Sequence, residues 1–310
     1  MIVVSFSGGK DSVAMLLYLV ERYGAENLVA HYQVLPEDWP ETLPYTREVC
    51  DHLGVRLVAQ QVLYEPVGDG TRVRRLAIRD IHTEADIVPW GTGVIAGITD
   101  LALRRGWPPS PGCRFCTSYF KRDLLNAWIT QNRSWLSADG EIVVALGERA
   151  AESPRRARKT EWAPRIQRKS WKAWNWLPVH PWSRREVFRK LRDWGIRPHP
   201  AYRAQGMSPR QMYDLDEEGG PRTSCRFCIY ATSADVCHQA QREANYALLH
   251  RLVEVEEQTG KTWWANRSAS NLLMRRRASR TVFSKGRDVC ESLKHQGGSK
   301  SAPHKDRGLI

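Results

Sequence analysis

The chain opens on Ile2-Val3-Val4-Ser5-Phe6, a short and almost unbroken β-branched apolar run. A run that is apolar at odd and even positions alike predicts a parallel strand buried on both faces. Val13, Leu16, Leu17 and Val20 then recur at helical spacing, and Gly24 supplies a stop. Residues 28–35 predict a second strand, 42–53 a helix ended by Gly54, and 55–62 a third strand. Strand, helix, strand, helix, strand is the signature of a doubly wound, mostly parallel α/β sheet.

Beyond residue 64 the pattern weakens. A small-residue helix is predicted over 92–106, a second helix over 118–131 and a fourth strand over 141–146. Residues 155–175 are basic with interleaved tryptophans and predict a loop, and 176–182 a short last strand. Ser183 and Glu186 form a capping box for a helix ending at Gly195. Val236, Ala240, Ala244, Leu248, Leu252 and Val255 predict one long helix around 234–258. The organisation expected is an α/β domain over 1–235, a helical, cysteine-bearing extension over 236–284 and a disordered basic tail over 285–310.

Composition narrows the class. The 310 residues are 42% hydrophobic with a net charge of +13, and no apolar run approaches the ~18 residues of a membrane span. The start lacks a basic region before its apolar run, so no signal peptide is expected and a cytoplasmic location follows. The positive charge is uneven. Residues 155–203 carry 15 basic and 3 acidic side chains, and 267–310 carry 11 and 3. Such blocks favour a polyanionic partner, a nucleic acid or a nucleotide phosphate. Trp162, Trp171, Trp174 and Trp176 alternate with Lys and Arg as a stacking surface for bases, or lie buried under a loop.

Between the first strand and helix stands Ser7-Gly8-Gly9-Lys10-Asp11-Ser12. The two glycines let backbone N–H groups approach an anion, and the helix directs its positive end to the same place. The spacing is not that of Walker A. Four of the seven cysteines form two identical Cys-Arg-Phe-Cys tetrapeptides, Cys113/Cys116 and Cys225/Cys228. Brought together, four thiolates suit zinc or a [4Fe–4S] cluster. Zinc ribbons place their pairs closer, roughly 15–20 residues apart. Arg114 and Arg226 are expected to lower the thiol pKa values and offset a cluster's charge. Cys50 reads as a core thiol on a helix, and Cys237 as a buried helix thiol or else a substitute ligand or sulfur carrier.

Ser7–Ser12 after a first strand resembles the PP-loop of the adenine nucleotide alpha-hydrolase superfamily. Further ordered segments are similar to its phosphoadenosine phosphosulfate (PAPS) reductase-like branch. They are Glu37-Asp38-Trp39-Pro40-Glu41-Thr42 with Tyr45, Gly147-Glu148-Arg149 through Arg156, and Leu177–Ser183 with Gly195-Ile196 and His199-Pro200-Ala201-Tyr202. Within that branch the chain most resembles the DndC-type sulfur-transfer proteins of DNA phosphorothioation, including phage-encoded members.

The resemblance implies that ATP or a PAPS-like adenylate binds at Ser7, Gly8, Gly9, Lys10, Asp11, Ser12, Gly147, Arg149 and Arg156. Lys10, Asp11 and Arg149 would be catalytic, with Mg²⁺ near Asp11. Cys113, Cys116, Cys225 and Cys228 would hold a [4Fe–4S] cluster, with zinc as the alternative. The implied reaction is adenylylation of a DNA or tRNA acceptor with pyrophosphate release, then sulfur transfer, with a cysteine desulfurase as donor and no membrane involved. A PAPS or adenosine phosphosulfate reductase is the first alternative, but the surroundings of Cys290 do not match its mobile C-terminal cysteine motif. A zinc-containing amide- or nitrile-forming ligase and a non-catalytic nucleotide-binding component are the others.

Overall fold

A computed structural model describes residues 1–204, 223, 225–265 and 267–274. Seven strands form one sheet in the order β4-β3-β2-β1-β5-β7-β6. They are β1 (Ile2–Ser5), β2 (Leu28–Gln33), β3 (Arg56–Pro66), β4 (Val73–Asp80), β5 (Glu141–Leu146), β6 (Trp162–Gln167) and β7 (Lys172–Trp176). The five central strands pair in parallel, and β4 and β6 add antiparallel edges. From β1 the chain winds outward to β2 and β3, then returns to place β5 and β7 on β1's other side. The topological switch point therefore lies between β1 and β5, where open α/β sheets bind ligands.

Helices cover both faces of the sheet. α1 (Lys10–Tyr23) and α2 (Thr42–Leu53) pack on the face that Val4 and Ala145 enter. Val3 and Val144 point the other way and meet Leu125, Trp128 and Ile129 of a helix that follows α3 (Ile98–Arg105). That helix, α4 (Asp123–Leu136), is entered through a short turn, Phe115–Thr117, and a π turn, Ser118–Arg122. Successive strand residues face opposite sides, so a strand covered on both must be apolar throughout.

α5 (Arg184–Asp193) carries the expected capping box and packs on α1 through Val187 and Leu191. α6 (Ser233–Gln241), α7 (Tyr246–Thr259) and residues through Leu273 share a core with α3 and with Val62 and Tyr64 of β3. The tail expected over 285–310 lies outside the described residues.

Several expectations are corrected. Residues 155–175 are not a loop, because β6 and β7 form an antiparallel pair there. The signal was masked by Pro164 and the basic residues, which an edge strand tolerates. Pro164 sits at the register shift of β6. Residues 177–182 are turns rather than a strand, with His180 N–H donating to Leu177 O and Trp182 N–H to Val179 O. The helix expected from residue 92 begins at Ile98, since Gly91 and Gly93 take left-handed conformations. The long helix over 234–258 is two, broken at Glu243–Asn245, where Asn245 is buried and donates to Gln239 O. The edge strand β4 had no clear sequence signal.

Candidate functional site

The Ser7–Ser12 loop sits at the switch point. Gly8 has φ +69°, and a Cβ there would stand 3.1 Å from Thr46 and 3.3 Å from Tyr45, so the turn needs glycine on two counts. Ser12 Oγ donates to Gly9 O at 2.9 Å, and Ser7 N–H donates to Ser12 Oγ at 3.3 Å. His199 and Tyr202 close over this turn. His199 packs against Gly8 and Tyr45. Tyr202 is buried and its hydroxyl accepts the Lys10 N–H at 3.1 Å. Burial drops the pKa of His199 to about 4, with Glu41 acting weakly against it.

Asp11 is gripped by two cations. Lys10 Nζ lies 2.6 Å from Oδ2, and Arg149 Nε lies 2.6 Å from Oδ1. Burial acts to raise this carboxyl, but Lys10 and Arg149 outweigh it and hold it below its ordinary value. With both oxygens engaged, Asp11 does not fit as a ligand to Mg²⁺ in this arrangement, and no step is derived through that ion. Arg149 is 1% exposed and also donates to Trp182 O. It stands behind the loop, whereas Arg156, paired with Glu152, lines the cavity in front. Gly147 follows β5 and passes over the start of α1. A Cβ there would lie 3.0 Å from Asp11 C and Ser12 N.

A cavity of about 570 Å³ opens at the loop and reaches from Ser7, Lys10 and Ser12 to Cys225 and Cys228. Lys121, delivered by the π turn, places Nζ 3.5 Å from Cys225 Sγ. π turns cluster at functional sites because they redirect side chains without ending the helix. Cys225 and Asp38 hold the proton on Lys121 more firmly than usual. Burial keeps the Cys225 thiol protonated well above the ordinary range, Lys121 notwithstanding, and burial also raises Cys116. Cys116, Cys225 and Cys228 lie within electrostatic reach of one another, whereas Cys113 is exposed on a turn with Ser110. Among the described residues, no three His, Cys, Asp or Glu side chains are grouped to hold a metal ion. As placed, the four thiols do not close around an iron–sulfur cluster or zinc, and no step is routed through either.

Arg226 does not act as expected. Its guanidinium donates to Ala244 O at 3.1 Å and Pro36 O at 3.0 Å, and its N–H to Glu37 O at 2.9 Å. It is a clasp that fixes the second tetrapeptide against the β2–α2 connection. The cation beside the thiol is Lys121, the basic residue that follows the first cysteine pair in the segment Cys116–Lys121. Phe227 takes φ 53°, costly for a bulky residue by roughly 1–2 kcal/mol. Trp263 Nε1 donates to Phe227 O and Trp264 Nε1 to Cys228 O, so the C-terminal part holds this turn in place. Trp39 is a buried core residue under Arg242. Cys50 and Cys237 are buried, and burial pushes the Cys50 thiol up to about 12.

Glu37 is the second residue that spacing alone did not mark. Its buried carboxylate accepts the N–H and the hydroxyl of Thr99 at the start of α3. A Cβ on Gly97 would stand 2.5 Å from Glu37 Oε1, so a side chain there would displace the Glu37 carboxylate from the start of α3. Burial nevertheless pushes the Glu37 carboxyl up.

Compared with profiles of known protein families, the chain matches none. It is 26% identical over 261 residues to a protein of Escherichia phage 186, spanning 76% of this chain and 68% of that protein. That relative is described as an uncharacterized 37.8 kDa protein in the gpa 5′ region. Among the described residues, no helix is long and apolar enough to cross a membrane.

Proposed function

We propose that this chain is a PP-loop enzyme that binds ATP or a PAPS-like adenylate, adenylylates an acceptor and brings sulfur to it from the thiol side of the same cavity. One observation carries the reading. The Ser7–Ser12 loop and Cys225/Cys228 line a single cavity of about 570 Å³ at the switch point of the sheet.

The polyphosphate would rest on the loop's free amides and on Lys10, with the first turn of α1 adding its dipole. An acceptor oxygen attacks the α-phosphorus. The new phosphorus–oxygen bond forms as the α–β bridge breaks, and pyrophosphate leaves. A persulfide on one of the cavity thiols, charged by a cysteine desulfurase, then attacks the activated acceptor atom through its terminal sulfur and displaces AMP. A second thiol cleaves the sulfur–sulfur bond, which leaves the sulfur on the acceptor and a disulfide in the protein. Cys225 and Cys228, which line the cavity, and Cys116, within electrostatic reach of both, are the thiols we propose for these steps. A nucleic acid acceptor fits the basic 155–203 block and the exposed Trp162, which stacks on Trp176 at 5.3 Å.

The test is pyrophosphate release from ATP by the full chain, purified without oxygen, with and without DNA or tRNA. Acceptor-dependent release with sulfur incorporated into the acceptor supports the reading. Stoichiometric zinc without sulfide favours the ligase alternative. Nucleotide binding without turnover favours a regulatory component.

A further inference from the structure

The cavity wall carries six cationic side chains, four of them paired with carboxylates and a fifth, Lys121, with the Asp38 carboxylate in electrostatic reach. Lys10 pairs with Asp11, Arg122 with Asp123, Arg156 with Glu152 and Lys159 with Glu148, while Lys121 faces Cys225. Arg165, on β6, is the exception: among the described residues it makes no ion pair. Its Nε donates to Asn126 Oδ1 at 2.8 Å and its Nη1 to Asn175 Oδ1 at 3.0 Å. Two neutral amide oxygens therefore aim the guanidinium without neutralising it.

We propose that Arg165, oriented by Asn126 and Asn175, forms a second oxyanion subsite that takes a phosphate group other than the polyphosphate on the Ser7–Ser12 loop. A guanidinium fork recognises phosphate bidentately, and leaving such a charge uncompensated in a partly buried wall is unfavourable. The strain is visible, since burial and neighbouring Arg122 lower the Arg165 pKa to about 10, with Asp123 opposing them. It stays charged at neutral pH, and an incoming anion relieves the cost.

Position separates this subsite from the loop. Asn175 lies on β7, two strands from β1, which is about 10 Å at the usual strand spacing. At that lateral offset the subsite suits a phosphate other than those seated on the loop amides. It belongs to the acceptor, as a phosphodiester, or to the nucleotide, as a phosphate on its ribose. The choice of carrier rests on the nucleotide reading above, while the subsite itself rests on Arg165.

Calorimetric titration of the full chain with ATP, adenosine 3′,5′-bisphosphate and a short single-stranded oligonucleotide tests it against Arg165→Gln. The expected result is unchanged ATP affinity and about a tenfold loss for one of the other two ligands. Loss for the bisphosphate assigns the phosphate to the nucleotide. Loss for the oligonucleotide, with its salt slope reduced by about one, assigns it to the acceptor. Equal losses for all three ligands, or no loss for any, overturn the subsite. Asn175→Asp gives Arg165 a carboxylate with little change in volume and is expected to produce the same selective loss. It keeps the test valid should Arg165→Gln fail to fold. If wild type binds neither nucleotide, the proposed function fails, and the oligonucleotide arm still decides the subsite.

Discussion

Arg149 and Asp11 join the end of β5 to the first turn of α1 through a 2.6 Å hydrogen-bonded ion pair in which the arginine is almost wholly enclosed. The pair ties together the two strand ends that border the switch point. Its arginine stands behind the loop, so its first effect is on the loop's geometry.

Removing Arg149 leaves Asp11 to Lys10 alone and takes away the hydrogen bonds to Asp11 Oδ1 and Trp182 O. Arg149→Met is therefore expected to destabilise the fold by about 1–3 kcal/mol, read from denaturant unfolding. Arg149→Lys is expected to recover little, because it loses the donor to Trp182 O. A loss below about 1 kcal/mol in Arg149→Met would show that the pair is dispensable.

The same pair sets an acid limit. Asp11's folded value lies below its ordinary 3.8, so its contribution is present above that value and is lost as pH falls through the folded value. His31 and His199 act earlier. Burial lowers both from 6.5 to about 4. The unfolded chain takes up their protons first, so stability falls as pH drops from about 6.5 to about 4. Each contributes a slope of up to about 1.4 kcal/mol per pH unit. Unfolding midpoints measured across this window are expected to flatten in His199→Gln, and an unaltered slope refutes the assignment.

Gly147→Ala puts a methyl group 3.0 Å from the Asp11 and Ser12 backbone. Backbone cannot rotate away as a side chain can, so overpacking of about 1–3 kcal/mol is expected. Nucleotide affinity should fall with stability, because the displaced atoms belong to the loop. Titration and thermal melting of the variant check both, and wild-type values in each would contradict the close approach.

Glu37→Ala removes the side-chain acceptor at the start of α3 and is expected to cost about 1–2 kcal/mol. Glu37→Gln keeps an acceptor oxygen and, since burial already raises this carboxyl, should cost less. If the two variants are equally unstable, charge rather than capping is what matters at this position.

Two substitutions address function directly. Lys10→Ala is expected to abolish pyrophosphate release while leaving any thiol-bound metal in place. Cys225→Ala is expected to abolish sulfur incorporation into the acceptor while acceptor-dependent pyrophosphate release continues. Turnover that survives the first change, or sulfur transfer that survives the second, would sink the corresponding role.

Much of this was readable along the chain. Ile2–Ser5, the helix after the glycine loop and Glu141–Leu146 followed from local periodicity, because a strand covered on both faces must be apolar throughout and a surface helix must carry a stripe. The placement of Ser7–Ser12 between a strand and a helix was equally local, since the strand, the two glycines and the helix start are contiguous. The capping box at Ser183 and Glu186 likewise needs only four residues.

What tertiary structure alone decided are relationships between distant segments. β6 was hidden because an edge strand has one exposed margin and accepts Pro164 and charge. Arg226 was read as a neighbour of thiols, but the carbonyls it clasps come from residues 36 and 37 and from 244 and beyond. Lys121 reaches Cys225 only because a π turn redirects it, and no periodicity encodes that. Arg165 stands out because four of its wall neighbours pair with carboxylates and it does not, a property of charge balance in three dimensions. Periodicity reports which face of an element is buried. It does not report what meets that face, and the site is made of such meetings.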